Sequence, residues 1–159
     1  MHHKSINISY EEYYSNEGLD IRDKELLDKA IEATKSSYAP YSKFNVGAAL
    51  RLDNGEIITG NNQENAAYPS GLCAERVAIF YAHAKYPEAS IESLAVTASV
   101  NEKLCETPTY PCGACRQVMA ESESRAGKPI RIIIGGEKVT QIVDNIGSLL
   151  PFVFDNLPK

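Results

Sequence analysis

The chain has 159 residues, 16 Lys and Arg against 21 Asp and Glu, and a formal net charge of −5. That length fits one domain with a sizeable core, and the acidic balance, unbroken by any basic stripe, weighs against a nucleic-acid partner, whose binding rests on phosphate neutralisation. A phosphate-free nucleoside stays open. No apolar run reaches the length of a bilayer span and no charged-then-apolar leader opens the chain, so no membrane partner and a cytoplasmic location are expected. Thiols stay reduced in that compartment, so the four cysteines read as metal ligands or reactive groups before disulfides.

In chain order, residues 1–19 read as an N-terminal extension. There Ile6, Ile8 and Tyr10 alternate with polar residues in the period of an added edge strand, while His2 and His3 have no expected ligand role. Asp20 or Asp23 can cap a helix running to about Ser37, with Leu26, Leu27, Ala30, Ile31 and Thr34 on one face and Ala39-Pro40 as its stop. Phe44 to Leu52 and Glu56 to Asn61 read as strands joined by the hairpin signal Asp53-Asn54-Gly55. A polar loop follows to Gly71, then a helix from about Cys73 to Lys85 that is apolar nearly all round, a pattern that predicts burial against a partner chain.

Leu94 to Val100 is a buried strand candidate, and Leu104 to Tyr110 is a loop carrying Cys105. Pro111 opens a helix expected to fade through the polar run Glu121 to Ser124 before Gly127. Ile130 to Ile134 and Val139 to Val143 read as strands, the second as a last edge strand. Ile146 to Leu150 reads as a short helix, and the tail Leu149 to Phe154 is too apolar to stand free in water. Helices alternating with strands make the class α/β, one central sheet covered by helices.

The chemistry gathers between Ser70 and Val118. Cys112 and Cys115, three apart at a helix start, face the same way and can share an ion, and Cys73, at the start of another helix, can supply a third sulfur. Three protein ligands with the fourth position left to water is the pattern of a catalytic zinc site. Both helix N-termini aim positive dipole ends at the sulfurs, which favours thiolates. Arg76 and Arg116 are the candidate compensating cations. Glu75, two residues past Cys73, is placed to lean over the open position as a proton shuttle rather than a ligand. Taken alone, Cys112-Gly113-Ala114-Cys115 fits a dithiol redox pair equally well, and Cys105 could close a four-cysteine structural site.

Taken jointly, Cys-x-Glu and Pro-Cys-x-x-Cys form the zinc deaminase signature with Cys as the first ligand, a class the wider pattern knows in a three-cysteine form. Tyr38 to Phe44, Val46 to Leu50, Asn62 to Tyr68, Cys73 to Arg76 and Pro111 to Val118 resemble the small homotetrameric cytidine deaminases from about Asp20 onward. The resemblance implies a cytidine deaminase-like three-layer α/β/α fold, a mixed sheet of about five strands, and a domain over residues 20–159. It implies one zinc per chain on Cys73, Cys112 and Cys115, with Glu75 as the catalytic acid and base. The activity implied is hydrolytic deamination of cytidine and deoxycytidine in pyrimidine salvage.

It further implies that Asn62 and Glu64 bind the ribose, Phe44 packs on the base, and the Ala74 backbone meets the pyrimidine edge. The Tyr110 carbonyl would reach the exocyclic amine, and Phe154 would come from a neighbouring subunit of a homotetramer with shared sites. Tyr110 stands where the family often has a smaller residue, so its ring is expected to narrow the mouth. Two other functions compete: a deaminase of another aminopyrimidine nucleoside such as blasticidin S, and a non-catalytic zinc-stabilised interaction module. The loop Asn62-Gln63-Glu64-Asn65 favours a ribose, and Glu64 disfavours a phosphate on that edge.

Overall fold

A computed structural model describes residues 1–155. Its strands are β1 (Glu11–Tyr13), β2 (Phe44–Leu52), β3 (Ile57–Asn61), β4 (Ile91–Val100), β5 (Lys103–Leu104), β6 (Arg131–Ile134) and β7 (Thr140–Val143). Its helices are α1 (Ile21–Thr34), α2 (Ala74–Lys85) and α3 (Gly113–Ala126), with short 3-10 turns between elements. One mixed sheet runs in the order β1-β7-β6-β4-β2-β3, with β5 hydrogen-bonded to the end of β4. β4 and β6 are parallel and every other pair is antiparallel.

The sheet separates two apolar clusters, which makes three layers. On one face α1 lays Leu26, Leu27 and Ala30 against Ala49, Ala95, Ile133 and Ile142. On the other, α2 and α3 bring Ile79, Cys115 and Met119 onto Leu50, Val96, Ile132, Ile134 and Val143. Ala95 and Val96 fall in opposite clusters, the period of a strand buried on both sides, which explains why β4 reads as an unbroken apolar run. The expected α/β/α architecture is what forms, with two short strands beyond the expected five or so.

Local chemistry sets most boundaries. The Asp20 side chain accepts the Arg22 amide and caps α1, which ends at Thr34, three residues earlier than its apolar pattern suggests. Gly55 turns the β2–β3 hairpin at φ +88, a left-handed conformation that a side chain would strain. Gly60 allows a closer contact. A Cβ there would lie 2.6 Å from the Ala74 carbonyl and 2.7 Å from the Ala78 amide, so the bare backbone is what lets α2 settle on β3.

Two expectations need correction. The N-terminal edge strand exists but lies at Glu11–Tyr13, past the Ile6, Ile8 and Tyr10 alternation, and it covers β7, which is therefore not the sheet edge. α3 stays regular through the polar run to Ala126 and stops before Gly127 as expected, where Gly127 at φ +62 forms a left-handed C-cap. Within the single chain α2 leaves Phe80 and Tyr81 about half exposed, the surface for which a partner chain is expected. In the tail, Phe152 and Phe154 are likewise open to solvent. Among the described residues no helix is long and apolar enough to cross a membrane.

Candidate metal and active site

Two helix starts meet at one end of the sheet. Cys73 is the N-cap of α2 and Cys112 the N-cap of α3, with Cys115 in the first turn of α3. Extended backbone at both caps turns the two sulfurs toward each other. Cys73 Sγ lies 3.7 Å from Cys112 Sγ, and Cys112 Sγ lies 3.5 Å from Cys115 Sγ; all three ligand atoms fall within 4.8 Å of one another.

These spacings decide what the trio can hold. Disulfide sulfurs sit about 2.05 Å apart, and all four cysteines are free. Zinc–sulfur bonds of about 2.3 Å at tetrahedral angles put sulfurs about 3.8 Å apart, so the observed edges fit three corners of a zinc tetrahedron. Cys105 is not part of the cluster among the described residues. Its amide and carbonyl instead join the Ala98 carbonyl and the Glu137 amide.

The charges around the trio suit thiolates. A hydrogen bond from Cys115, with help from Arg76 and Cys112, pulls the Cys73 thiol down to about 5 against the opposing effect of burial. Cys115 moves the other way: its shared proton with Cys73 and its burial push it up. The two thiols titrate as a coupled pair, and a zinc ion would displace the protons that remain on the cluster. Arg76 Nη2 donates to Cys73 Sγ at 3.5 Å, one helical turn behind it.

Arg116 does not act as expected. Its Nε donates to the Pro111 carbonyl and its Nη1 to the Leu149 carbonyl, each at 2.8 Å. It ties the start of α3 to the C-terminal segment, and among the described residues Arg76 is the cation bonded to a ligand sulfur. A Pro-bracketed Cys motif followed by Arg gives no local sign of where a long side chain will find carbonyls, which is why sequence alone misassigned it.

Glu75 is buried, at 3% exposure, in the first turn of α2. Burial pushes its carboxyl up from the ordinary carboxylate range, and the negative Cys73 adds to that. That direction suits a group whose part is to exchange protons with a water and a substrate. It opens onto a cavity of about 640 Å³ whose wall also includes Phe44, Asn62, Glu64, Tyr110, Cys73 and Cys112.

The two polar residues of that wall are anchored from behind. Asn62 Oδ1 accepts the Val46 amide and its Nδ2 donates to the Phe44 carbonyl. Glu64 accepts the Tyr41 and Ser42 amides at 2.9 and 3.2 Å together with the Ser42 hydroxyl, and that hydroxyl above all holds its carboxyl below the usual range. Each keeps spare capacity, a second amide hydrogen on Asn62 and further lone pairs on Glu64. Ala74 is fully buried beneath Glu75. Phe154 stands apart, its carbonyl accepting from Gln117 Nε2 on the exposed side of α3.

Sequence reasoning had not singled out Ser42 or Tyr41 as anchors of Glu64. Nor does it connect Tyr110 with Gln141 of β7, whose Oε1 accepts the Tyr110 hydroxyl. The first was legible in principle, since Ser42 sits in a conspicuous Tyr-Ser-x-Phe run. The second joins residues 31 apart across a loop and carries no sequence signal.

Comparison with known proteins agrees with this geometry. The family described as "Cytidine and deoxycytidylate deaminase zinc-binding region" matches residues 20–128. The chain is 47% identical over 96 residues to a cytidine deaminase of Halalkalibacterium halodurans, covering 60% of this chain and 68% of that protein. It is 34% identical over 139 residues to the cytidine deaminase of Mycobacterium tuberculosis, covering 84% and 92%. Among solved structures, the Burkholderia pseudomallei cytidine deaminase superposes with a TM-score of 0.69 at 36% identity, covering 82% of this chain and 97% of the other.

Proposed function

We propose that this chain, which belongs to the cytidine and deoxycytidylate deaminase family, is a zinc-dependent hydrolase that converts cytidine and deoxycytidine to the uridines and ammonia. The carrying observation is the meeting of three sulfurs at zinc spacing with a buried, proton-competent Glu75 in one nucleoside-sized cavity.

Cys73, Cys112 and Cys115 would hold the metal, which when bound supplies an acidified water at neutral pH. Glu75 takes a proton from the attacking water and delivers it to ring nitrogen 3, then takes the proton of the hydroxyl added at carbon 4 and hands it to the amine, which leaves as ammonia. Atoms balance as one water consumed and one ammonia released. Asn62 and Glu64, already fixed by backbone partners, receive the ribose hydroxyls. Phe44 packs against the base, the Ala74 backbone meets the pyrimidine edge, and the Tyr110 carbonyl takes the exocyclic amine. Arg76 offsets the charge of Cys73.

The paired ribose groups favour a nucleoside over a nucleotide and over blasticidin S, and Cys105 outside the sulfur cluster argues against a closed structural zinc site. The family match beginning at residue 20 supports reading 1–19 as an extension and 20–159 as the deaminase domain. Exposed Phe80, Tyr81, Phe152 and Phe154 support a homotetramer in which Phe154 reaches a neighbouring subunit's cavity. Free thiols support residence in the cytoplasm.

Ammonia release from cytidine, with zinc measured on the same sample, tests the function. Turnover with about one zinc per chain is expected. Zinc-loaded protein that leaves cytidine and deoxycytidine untouched would refute the reading.

A further inference from the structure

β1 belongs to residues that the family match leaves out, yet it reaches the active-site wall through one residue of β7. In the β1–β7 register Glu12 lies directly opposite Gln141. Gln141 shares a sheet face with Val143, which packs in the α2–α3 layer, so its side chain stands on the side where the cavity lies. There its amide is used at both ends. Nε2 donates to Glu12 Oε2 at 2.6 Å, while Oε1 accepts the Tyr110 hydroxyl. Glu12 is held in turn by the Tyr14 hydroxyl, which donates to Oε1 at 2.7 Å. Tyr110 itself lines the cavity and is half exposed, so its hydroxyl bond is an anchor for a ring that the core does not enclose.

We infer that the N-terminal strand sets the shape of the substrate pocket, with Gln141 as a positioning residue that Glu12 orients and that in turn holds the Tyr110 ring in the cavity wall. An amide has one donor end and one acceptor end. Because the Glu12 carboxylate can only accept, it fixes which end of Gln141 faces Tyr110, and the phenol must then donate. The backbone of the loop carrying Tyr110 is tied on both sides, by Glu137 and Lys138 amides on the Cys105 and Glu106 carbonyls and by Arg116 Nε on the Pro111 carbonyl, but these bonds do not reach the Tyr110 ring. Freed from Gln141, the ring regains rotamers that substrate must then freeze, a cost that falls on binding rather than on chemistry.

This inference rests on the deaminase reading, and its test is steady-state kinetics on cytidine with the full zinc-loaded chain. Gln141→Leu keeps the bulk and removes both bonds; it is expected to raise KM about three- to ten-fold, the worth of one neutral hydrogen bond, with kcat changed less than about two-fold. Tyr110→Phe should do the same, and the double variant should be no worse than either alone, because both break one link. Gln141→Glu sets a carboxylate against Glu12 and should raise KM, and adding Glu12→Gln supplies a donor and should restore it. A role confined to sheet stability would lower the melting temperature of these variants and leave KM flat, and flat KM values would overturn the inference while leaving the enzyme intact. Inactive wild-type protein would overturn the function and this inference together.

Discussion

Gly60 of β3 and Ala74 of α2 meet backbone to backbone: a Cβ on Gly60 would sit 2.6 Å from the Ala74 carbonyl. Ala74 lies between Cys73 and Glu75, so this contact sets the height above the sheet of both the proposed ligand and the proposed proton carrier. Gly60→Ala must push α2 away, and overpacking of this kind costs about 1–3 kcal/mol. The expected outcome is a lower denaturation midpoint together with weaker zinc retention, read by chemical unfolding and by metal analysis after dialysis against a chelator. A variant as stable and as metal-tight as wild type would show that the close approach is dispensable.

Glu75→Gln removes the exchangeable proton and keeps the side-chain shape. Because Glu75 is not among the clustered ligands, zinc content and melting temperature should hold. Turnover should fall about 10²- to 10⁴-fold, the span of a lost general acid–base. Turnover kept within a few-fold of wild type would remove Glu75 from the chemistry.

Metal analysis separates the four thiols. Cys112→Ser takes away one corner of a trio whose edges are 3.7 and 3.5 Å, and should leave the purified protein with much less than one zinc per chain. Cys105→Ser, outside the cluster, should keep the full complement. Loss of zinc from the Cys105 variant would instead point to a closed, four-sulfur site.

Glu64 gives a signed pH dependence. Its carboxyl lies below its ordinary value of 4.5 because the Ser42 hydroxyl, and then the Tyr41 and Ser42 amides, bond the ionised form. A carboxyl depressed on folding contributes stability that is present above its unfolded value and disappears as pH falls through the folded one. The melting-temperature gap between wild type and Glu64→Gln should therefore be constant above about pH 5 and close on acidification. A gap that widens in acid would contradict the bonding described. The same variant should lose discrimination between cytidine and CMP, since the repulsion of a phosphate on that edge goes with the charge.

What the sequence made legible was whatever its chemistry settles locally. Asp20 before α1, Asp53-Asn54-Gly55 in the hairpin and the cysteines at two helix starts each carry their own instruction within a few residues. The site was legible because zinc ligation demands particular residue types at particular offsets. What was not legible depends on partners far along the chain. Apolar alternation pointed to Ile6–Tyr10 as the added strand, but polar cross-strand partners, Arg131 for Glu11 and Gln141 for Glu12, select the next residues instead. Glu123 in the polar run of α3 accepts the amides of Ile130 and Ile146, the second 23 residues away, a role that its local pattern does not announce. Arg116 is drawn to the Leu149 carbonyl 33 residues away, a pull that no window around the motif contains.

β1 is three residues long, yet its place at the outer flank of β7 carries a further consequence. An uncovered β7 would present a row of unmatched amides and carbonyls, the template on which one molecule recruits another into a growing ribbon. Glu11 and Glu12 put two acidic side chains on the strand that occupies that flank, and Arg131 and Gln141 bind them there. The short acidic hem thus ends that flank of the sheet in charged side chains, which disfavour edge-to-edge pairing there.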